Sequence, residues 1–177
     1  MQAYRYFTAI LLVYLFVITT PALAGWDPDS TAEAQHAIKE FKKADASLSR
    51  FFEAAHAYAV FPSVGKGGFW IGGAYGDGLV FKDGKVLGET SLTQLTIGLQ
   101  LGGQVYREII FFRDAATFDN FKKGNLELSA QASAVAATAG ASADADFEQG
   151  VAVFTLAKGG LMYEASIGGQ KFDYTPY

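Results

Sequence analysis

Glycine is concentrated in one stretch of this chain, and that stretch limits what the sequence can fold into. All 20 glycines follow residue 24, and they are densest between Gly65 and Gly103, where hydrophobic residues alternate with small ones. Alternation with a period of two is typical of β-strands. Glycine inside a strand marks a bulge, a tight bend or the close approach of another backbone. The stretch therefore predicts a strongly curved sheet.

The two-residue periodicity continues on both sides of this stretch. Asp83 and Gly84 separate two such runs and predict a hairpin turn, because both residues tolerate the positive φ that tight hairpins require. No strand–helix–strand rhythm recurs, which argues against a parallel doubly wound sheet. The predicted strands are 58–62, 68–74, 78–82, 86–92, a stretch over 95–112 that bends at 98–103, 126–145, and a last hairpin of 151–156 with 161–167, while 172–177 is interpreted as a tail.

Helical periodicity occupies the region before the strands. Ser30 and Glu33 have the spacing of a capping box, and apolar residues then recur at steps of three and four. Asp45 or Ser47 can cap a second helix. The predicted helices are 31–44, roughly 47–56, and a short one that starts at Asp114 or Thr117 and ends at Gly124. We expect an α+β fold in which helices flank a strongly curved, barrel-like antiparallel sheet.

The first 24 residues have the pattern of a secretory signal peptide. Arg5 supplies a positive charge, an apolar run covers 7–18, and Ala22-Leu23-Ala24 has the small residues that a signal peptidase accepts. The run is too short for a membrane-spanning helix, which needs roughly 20 apolar residues. We expect cleavage after Ala24, a short segment over 25–29 and a single domain over 30–177. The protein would then be exported to the periplasm or secreted.

Charge and cysteine content exclude several classes of function. The formal net charge is -4, whereas a general nucleic-acid binder normally carries a basic surplus. The chain contains no cysteine. Disulfides, thiolate metal sites, a cysteine nucleophile and the lipid-modified cysteine of a lipoprotein are therefore excluded.

Residue patterns for catalysis or metal binding are weak. Two Glu-x-x-His pairs, Glu33 with His36 and Glu53 with His56, have the spacing found in di-iron helical bundles. His36, however, lies on the side of its helix opposite the apolar stripe, and the remaining sequence does not supply a four-helix bundle. No Gly-x-Ser-x-Gly element accompanies either histidine. We expect neither an enzyme, nor a metal site, nor a cofactor.

Lys39, Lys42 and Lys43 lie beside the apolar stripe of the first predicted helix. A helix of this kind can lie on an anionic membrane surface. It can also cover one face of the sheet as ordinary core packing, which is the commoner case. The residues alone leave both interpretations open.

Glycine-rich motifs are spread along most of the chain. Residues 55–69 read Ala-x-Ala-x-Ala-Val-Phe-Pro-Ser-Val-Gly-Lys-Gly-Gly-Phe, and Gly-Gly-Ala-Tyr-Gly-Asp-Gly follows at 72–78. Together with 97–104, 121–128 and Lys158-Gly159-Gly160-Leu161, these motifs resemble the SYLF domain family from about Ser30 onward. Many SYLF domains carry Trp-Ser-x-Pro before the Gly-Leu-Gln motif, whereas residues 88–92 here are Gly-Glu-Thr-Ser-Leu.

The resemblance implies a lipid-binding module without catalytic activity. SYLF domains bind lipids, including phosphoinositides in eukaryotic members, and yeast members associate with actin. For an exported bacterial-type protein, the implied ligand is an envelope phospholipid or a similar anionic amphiphile. The alternative is a structural module that docks another envelope protein. The candidate headgroup contacts are Lys39, Lys42, Lys43, Lys66 and Lys158, and Phe41 would face the acyl chains.

Overall fold

The computed structural model describes residues 28–68, 71–97, 104–126, 128, 133–158 and 165–177. The signal peptide over 1–24 and the bend at 98–103 fall outside these residues. Parts of four other predicted segments also fall outside them, namely the segments 25–29, 68–74, 126–145 and 161–167.

The described residues include three α-helices, which confirm the predicted helical regions. They are α1 (Pro28–Ala44), α2 (Ser49–Ala54) and α3 (Ala115–Lys122), and a 3₁₀ turn, Ala46–Leu48, precedes α2. Asp45 caps this turn by accepting a hydrogen bond of 3.0 Å from the backbone N–H of Ser47. Asp114 caps α3 in the same way, accepting from the backbone N–H of Thr117 at 2.8 Å. The capping box at Ser30 was wrong, because α1 already begins at Pro28.

No helix in the described part of the chain is long and apolar enough to cross a bilayer.

In the described part of the chain, eight strands form one mixed sheet, so the fold class is α+β. The strands are β1 (Ala57–Gly68), β2 (Ile71–Lys82), β3 (Lys85–Ile97), β4 (Gln104–Phe112), β5 (Ser133–Ala136), β6 (Val151–Ala157), β7 (Ala165–Ser166) and β8 (Gln170–Pro176). Their spatial order is β7-β5-β6-β4-β1-β2-β3-β8. Neighbouring strands are antiparallel except β5 and β6, which are parallel. The predicted hairpin turn at Asp83-Gly84 is confirmed, and both residues have positive φ.

The sheet is curled, which confirms the predicted curvature, but it is not closed, so the description as barrel-like was wrong. Gln170 on β8 donates a hydrogen bond of 3.0 Å to Glu108 on β4, although β3, β2 and β1 lie between them in the sheet. Four strand spacings in a flat sheet would separate these residues by about 19 Å. The strands therefore bend round until their inner faces meet.

Alternate residues of the central strand β4 point into two separate parts of the core. Ile110 and Phe112 face the inside of the curl, where α3 covers them with Phe118. Ile109 and Phe111 face outward and pack under α1 and α2. We refer to these two sides as the inner face and the outer face.

Three predicted segments at the C-terminal side were wrong. Only Ser133–Ala136 of the alanine-rich region 126–145 is a described strand. The backbone turns a few residues after this strand, and Gly140 in that turn has a φ of +80°. The predicted hairpin of 151–156 with 161–167 is the second wrong segment. Strand β7, which lies in 161–167, pairs with β5 and not with β6. The predicted tail is edge strand β8, which pairs with β3.

Candidate functional site

The lysines predicted on the first helix form an exposed basic surface, but their apolar neighbour does not share it. Lys39, Lys42 and Lys43 are exposed on α1. Phe41 is fully buried between α1 and the outer face of the sheet. The proposal that Phe41 faces acyl chains therefore does not fit the structure, because the stripe on which it lies is used for core packing.

The other two predicted lysines lie at the opposite end of the sheet. Lys66 is half-buried on the inner face, where its charge acts on Glu108. Lys158 directly follows β6 and is exposed, and its backbone N–H donates to the carbonyl of Val105 at 3.0 Å. The structure therefore does not bring the six predicted residues together at one site.

Lys158, which follows β6, begins a row of residues that crosses five strands on the outer face. The row continues from Val105 to Gly65, Tyr75, Thr93 and Lys171, each paired with the next. A second row lies two residues further along β1, β2 and β3. It contains Gly67, Gly73 and Leu95, each paired with the next. We call this surface the glycine face and define it by Gly65, Gly67, Gly73, Tyr75, Leu95, Val105, Lys158 and Lys171.

The apolar side chains of the glycine face are exposed to solvent. Leu95 is 82% exposed, Tyr75 54% and Val105 47%. A Cβ atom placed on Gly65 or Gly67 would meet nothing within 4 Å. These two glycines are therefore not required by packing, and they leave the backbone bare between the projecting apolar residues.

An acidic groove separates the glycine face from α1. It has a volume of about 530 Å³, and its carboxylates are Glu33, Asp77, Glu89 and Asp173. Tyr75 borders both surfaces and donates a hydrogen bond of 2.6 Å to Asp77, which raises the pKa of the Tyr75 hydroxyl. Charge on the outer face is therefore divided. Lys158 and Lys171 lie on the glycine face, and the carboxylates lie in the groove between that face and α1.

A buried polar cluster lies on the inner face of the sheet. Its members are Glu108, Tyr106, Gln170 and Gln94. Burial raises the pKa of Glu108 to about 7, although a hydrogen bond from Gln170 and the charge of Lys66 act in the opposite direction. Burial also raises the pKa of Tyr106. Gln94, which pairs with Gln170 across β3 and β8, donates to the carbonyl of Gly168 at 2.8 Å.

Two comparisons with known proteins agree on the family. The family model described as "Las17-binding protein actin regulator" matches residues 93–174. Beta cell expansion factor A from Aeromonas veronii is 30% identical over 160 residues, which cover 82% of this chain and 59% of that protein. Both findings support assignment of the chain to the SYLF family. It spans 59% of the length of this curated relative.

The part of the chain that the family model matches contains more of the glycine face than of the basic helix. Residues 93–174 include Leu95, Val105, Lys158 and Lys171, whereas the three lysines of α1 lie outside them. Sequence reasoning included Lys158 among its candidates but missed the other three residues. Strand parity could have found them, because in a strand every second residue points to the same side.

Proposed function

We propose that this chain is a non-catalytic module that binds anionic phospholipid reversibly through the glycine face. The observation that carries the proposal is the row in which two lysines flank exposed apolar side chains on a bare backbone. Exposed apolar residues rimmed by polar ones mark interaction sites. The family assignment supports a lipid or a protein regulator as the partner.

The expected binding energy is that of a peripheral protein. Each lysine held near an anionic bilayer contributes about 1 kcal/mol, so Lys158 and Lys171 together contribute about 2 kcal/mol. Burying a side chain such as Leu95 completely adds roughly 1.5–3 kcal/mol. Because the total is a few kcal/mol, binding should be reversible and should weaken as salt is added.

Co-sedimentation of the full-length chain with anionic and neutral vesicles tests this proposal. We expect Lys158→Gln with Lys171→Gln to weaken binding to anionic vesicles by about tenfold or more, because roughly 2 kcal/mol is lost. Leu95→Asp should have a similar effect through the apolar contact. The matched control is Lys39→Gln with Lys43→Gln, which removes the same charge from exposed positions on α1.

The α1 lysines remain the alternative membrane site. If the control pair abolished binding while Lys158→Gln with Lys171→Gln left it unchanged, the basic helix would be the site and the glycine face would not. If none of the variants altered binding, a lipid-binding role for either surface would be wrong. Lys42 is left out of the control because its ammonium group lies 4.3 Å from the centre of the Phe52 ring.

A protein partner is the second candidate function. The matching family description names a protein, Las17, as what those relatives bind, and the acidic groove is large enough to hold a side chain of a partner. Capture of envelope proteins on the immobilised chain distinguishes the two functions. A stoichiometric protein partner that survives complete delipidation would favour this candidate over lipid binding.

We also propose that the protein is exported with removal of residues 1–24. The support is the signal-peptide pattern, which ends at Ala22-Leu23-Ala24. Intact-mass measurement on protein from its native host should give a chain that begins at Gly25. Retention of Met1 in fully exported protein would contradict cleavage.

A further inference from the structure

Among the residues that the structure describes, four side-chain oxygen atoms are buried close together on the inner face without a hydrogen-bond partner. They are Glu108 Oε1, Gln170 Oε1, the Tyr106 hydroxyl and the Thr155 hydroxyl. Each of these residues is at most 1% exposed. Leaving a buried polar atom unpaired costs about 1–3 kcal/mol, so a cluster of four calls for an explanation.

The residues that carry these four atoms are neighbours on the inner face. Gln170 donates to the other carboxylate oxygen of Glu108 at 3.0 Å. Thr155 is paired directly with Glu108 across β6 and β4, so their Cβ atoms are about 4.5–5.5 Å apart. Tyr106 is two residues from Glu108 on the same face of β4, and its hydroxyl lies near the Gln170 amide without completing a hydrogen bond.

The chemistry of the four atoms restricts the ligand that could satisfy them. Gln170 Oε1 and an ionised Glu108 Oε1 are acceptors, whereas the two hydroxyls of Tyr106 and Thr155 both donate and accept. An anion could use only the donors. A metal ion or an ammonium group would leave the hydroxyl hydrogens unpaired. A single ligand hydroxyl has one hydrogen and cannot donate to both acceptors. Two neighbouring hydroxyls of one ligand can donate to both acceptors and accept from both side-chain hydroxyls, so a group with several hydroxyls matches the whole set.

We propose that the inner face at Glu108 is a binding site for a hydroxyl-bearing group, such as a polyol or a sugar. Lys66, half-buried on the same face and close enough for its charge to act on Glu108, lies between the cluster and the strand ends. The site lies on the opposite face of the sheet from the glycine face. The group could belong to a free polyol or to the headgroup of a lipid, and only the second source depends on the proposed lipid binding.

The test uses substitutions that remove the unpaired hydroxyls and no hydrogen bond of the protein. Tyr106→Phe and Thr155→Val are close in shape to the native side chains. Thr90→Val is the matched control, since Thr90 is also buried but donates to the carbonyl of Asp173 at 2.8 Å. We expect the control to lower the melting temperature and to leave ligand binding unchanged.

In the first arm, glycerol and glucose are titrated into the full-length chain while the carboxyl carbon of Glu108 is followed by NMR. Saturable shifts that weaken by about tenfold or more in the Tyr106→Phe, Thr155→Val double variant would support the site. In the second arm, vesicles of phosphatidylglycerol are compared with vesicles of phosphatidylmethanol, which has the same charge and no headgroup hydroxyl. A preference for phosphatidylglycerol that the double variant loses would assign the site to a lipid headgroup.

Two results would overturn the inference in distinguishable ways. If no polyol produces a saturable shift and both vesicles bind equally, the inner-face site is wrong while lipid binding through the glycine face stands. If the double variant binds polyol as tightly as the native chain, binding occurs elsewhere. Failure to bind either vesicle would contradict the proposed function, and the soluble arm would still decide the polyol site.

Discussion

At the scale of single residues, Glu108 should make the stability of the protein depend on pH. Its pKa is raised from 4.5 to about 7 in the fold because burial disfavours the charged carboxylate. The folded chain therefore binds more protons than the unfolded chain between these values, and stability falls as pH rises from about 4.5 to 7. The loss should be about 3 kcal/mol above pH 7.

Replacing Glu108 with Gln removes this ionisation but keeps an oxygen that can accept from Gln170. We expect Glu108→Gln to unfold at higher denaturant concentration than the native chain at pH 8 and to differ little at pH 4. Urea titrations at both pH values provide the measurement. Equal stabilisation at both would show that the charge of Glu108 is not the cause.

Asp45 has the opposite pH dependence. Burial would raise its pKa, but hydrogen bonds from Ser47 and Ser142 outweigh burial and hold the pKa at about 2. The backbone N–H groups of Gly140 and Ser142 donate to its carboxylate at 3.2 and 2.7 Å, which ties the segment after β5 to the turn before α2.

We expect Asp45→Ala to lower the free energy of unfolding at pH 7 by about 2–4 kcal/mol, because several buried donors lose their acceptor. In the native chain, the contribution of Asp45 should be lost as pH falls from about 3.8 towards 2. Denaturation curves at pH 7 and pH 2 test this. A loss of the same size at both values would indicate a packing effect rather than the carboxylate.

At the scale of elements, glycines that look alike in the sequence have different roles in β1 and β2. A Cβ atom on Gly76 would lie 2.8 Å from the carbonyl oxygen of Ser63 and 2.9 Å from Val64, whereas one on Gly67 would meet nothing within 4 Å. Gly76→Ala should therefore destabilise the fold by about 1–3 kcal/mol through overpacking. Gly67→Ala should leave stability nearly unchanged, and thermal unfolding of both variants measures the difference.

The helices and strands also show how much of the fold and of the candidate site could be predicted from the sequence. Periodicity located α1, the capping residues Asp45 and Asp114, and the hairpin at Asp83-Gly84, because these depend on local chemistry. It missed edge strand β8, whose partner β3 lies far away in sequence. The candidate site was missed for the same reason, since the glycine face is assembled from residues of five strands and the residue that follows β6.

At the scale of the whole molecule, the division of charge on the outer face predicts one orientation at a membrane. The formal net charge is -4, so attraction to an anionic bilayer must come from a local basic surface. The carboxylates of the acidic groove would be repelled if the outer face lay flat on the bilayer. Contact through the strand ends brings Leu95, Lys158 and Lys171 to the lipid and holds the groove and α1 away.

Spin labels can measure this orientation directly, because the chain has no native cysteine to compete for labelling. We expect a label on Leu95→Cys to lose collisions with an aqueous paramagnet and to gain collisions with oxygen when anionic vesicles are added. A label on Lys39→Cys should remain accessible to the aqueous reagent, since α1 faces away from the bilayer in this orientation. Protection of both labels would indicate a flat orientation. Protection of the Lys39 position alone would place the basic helix at the membrane.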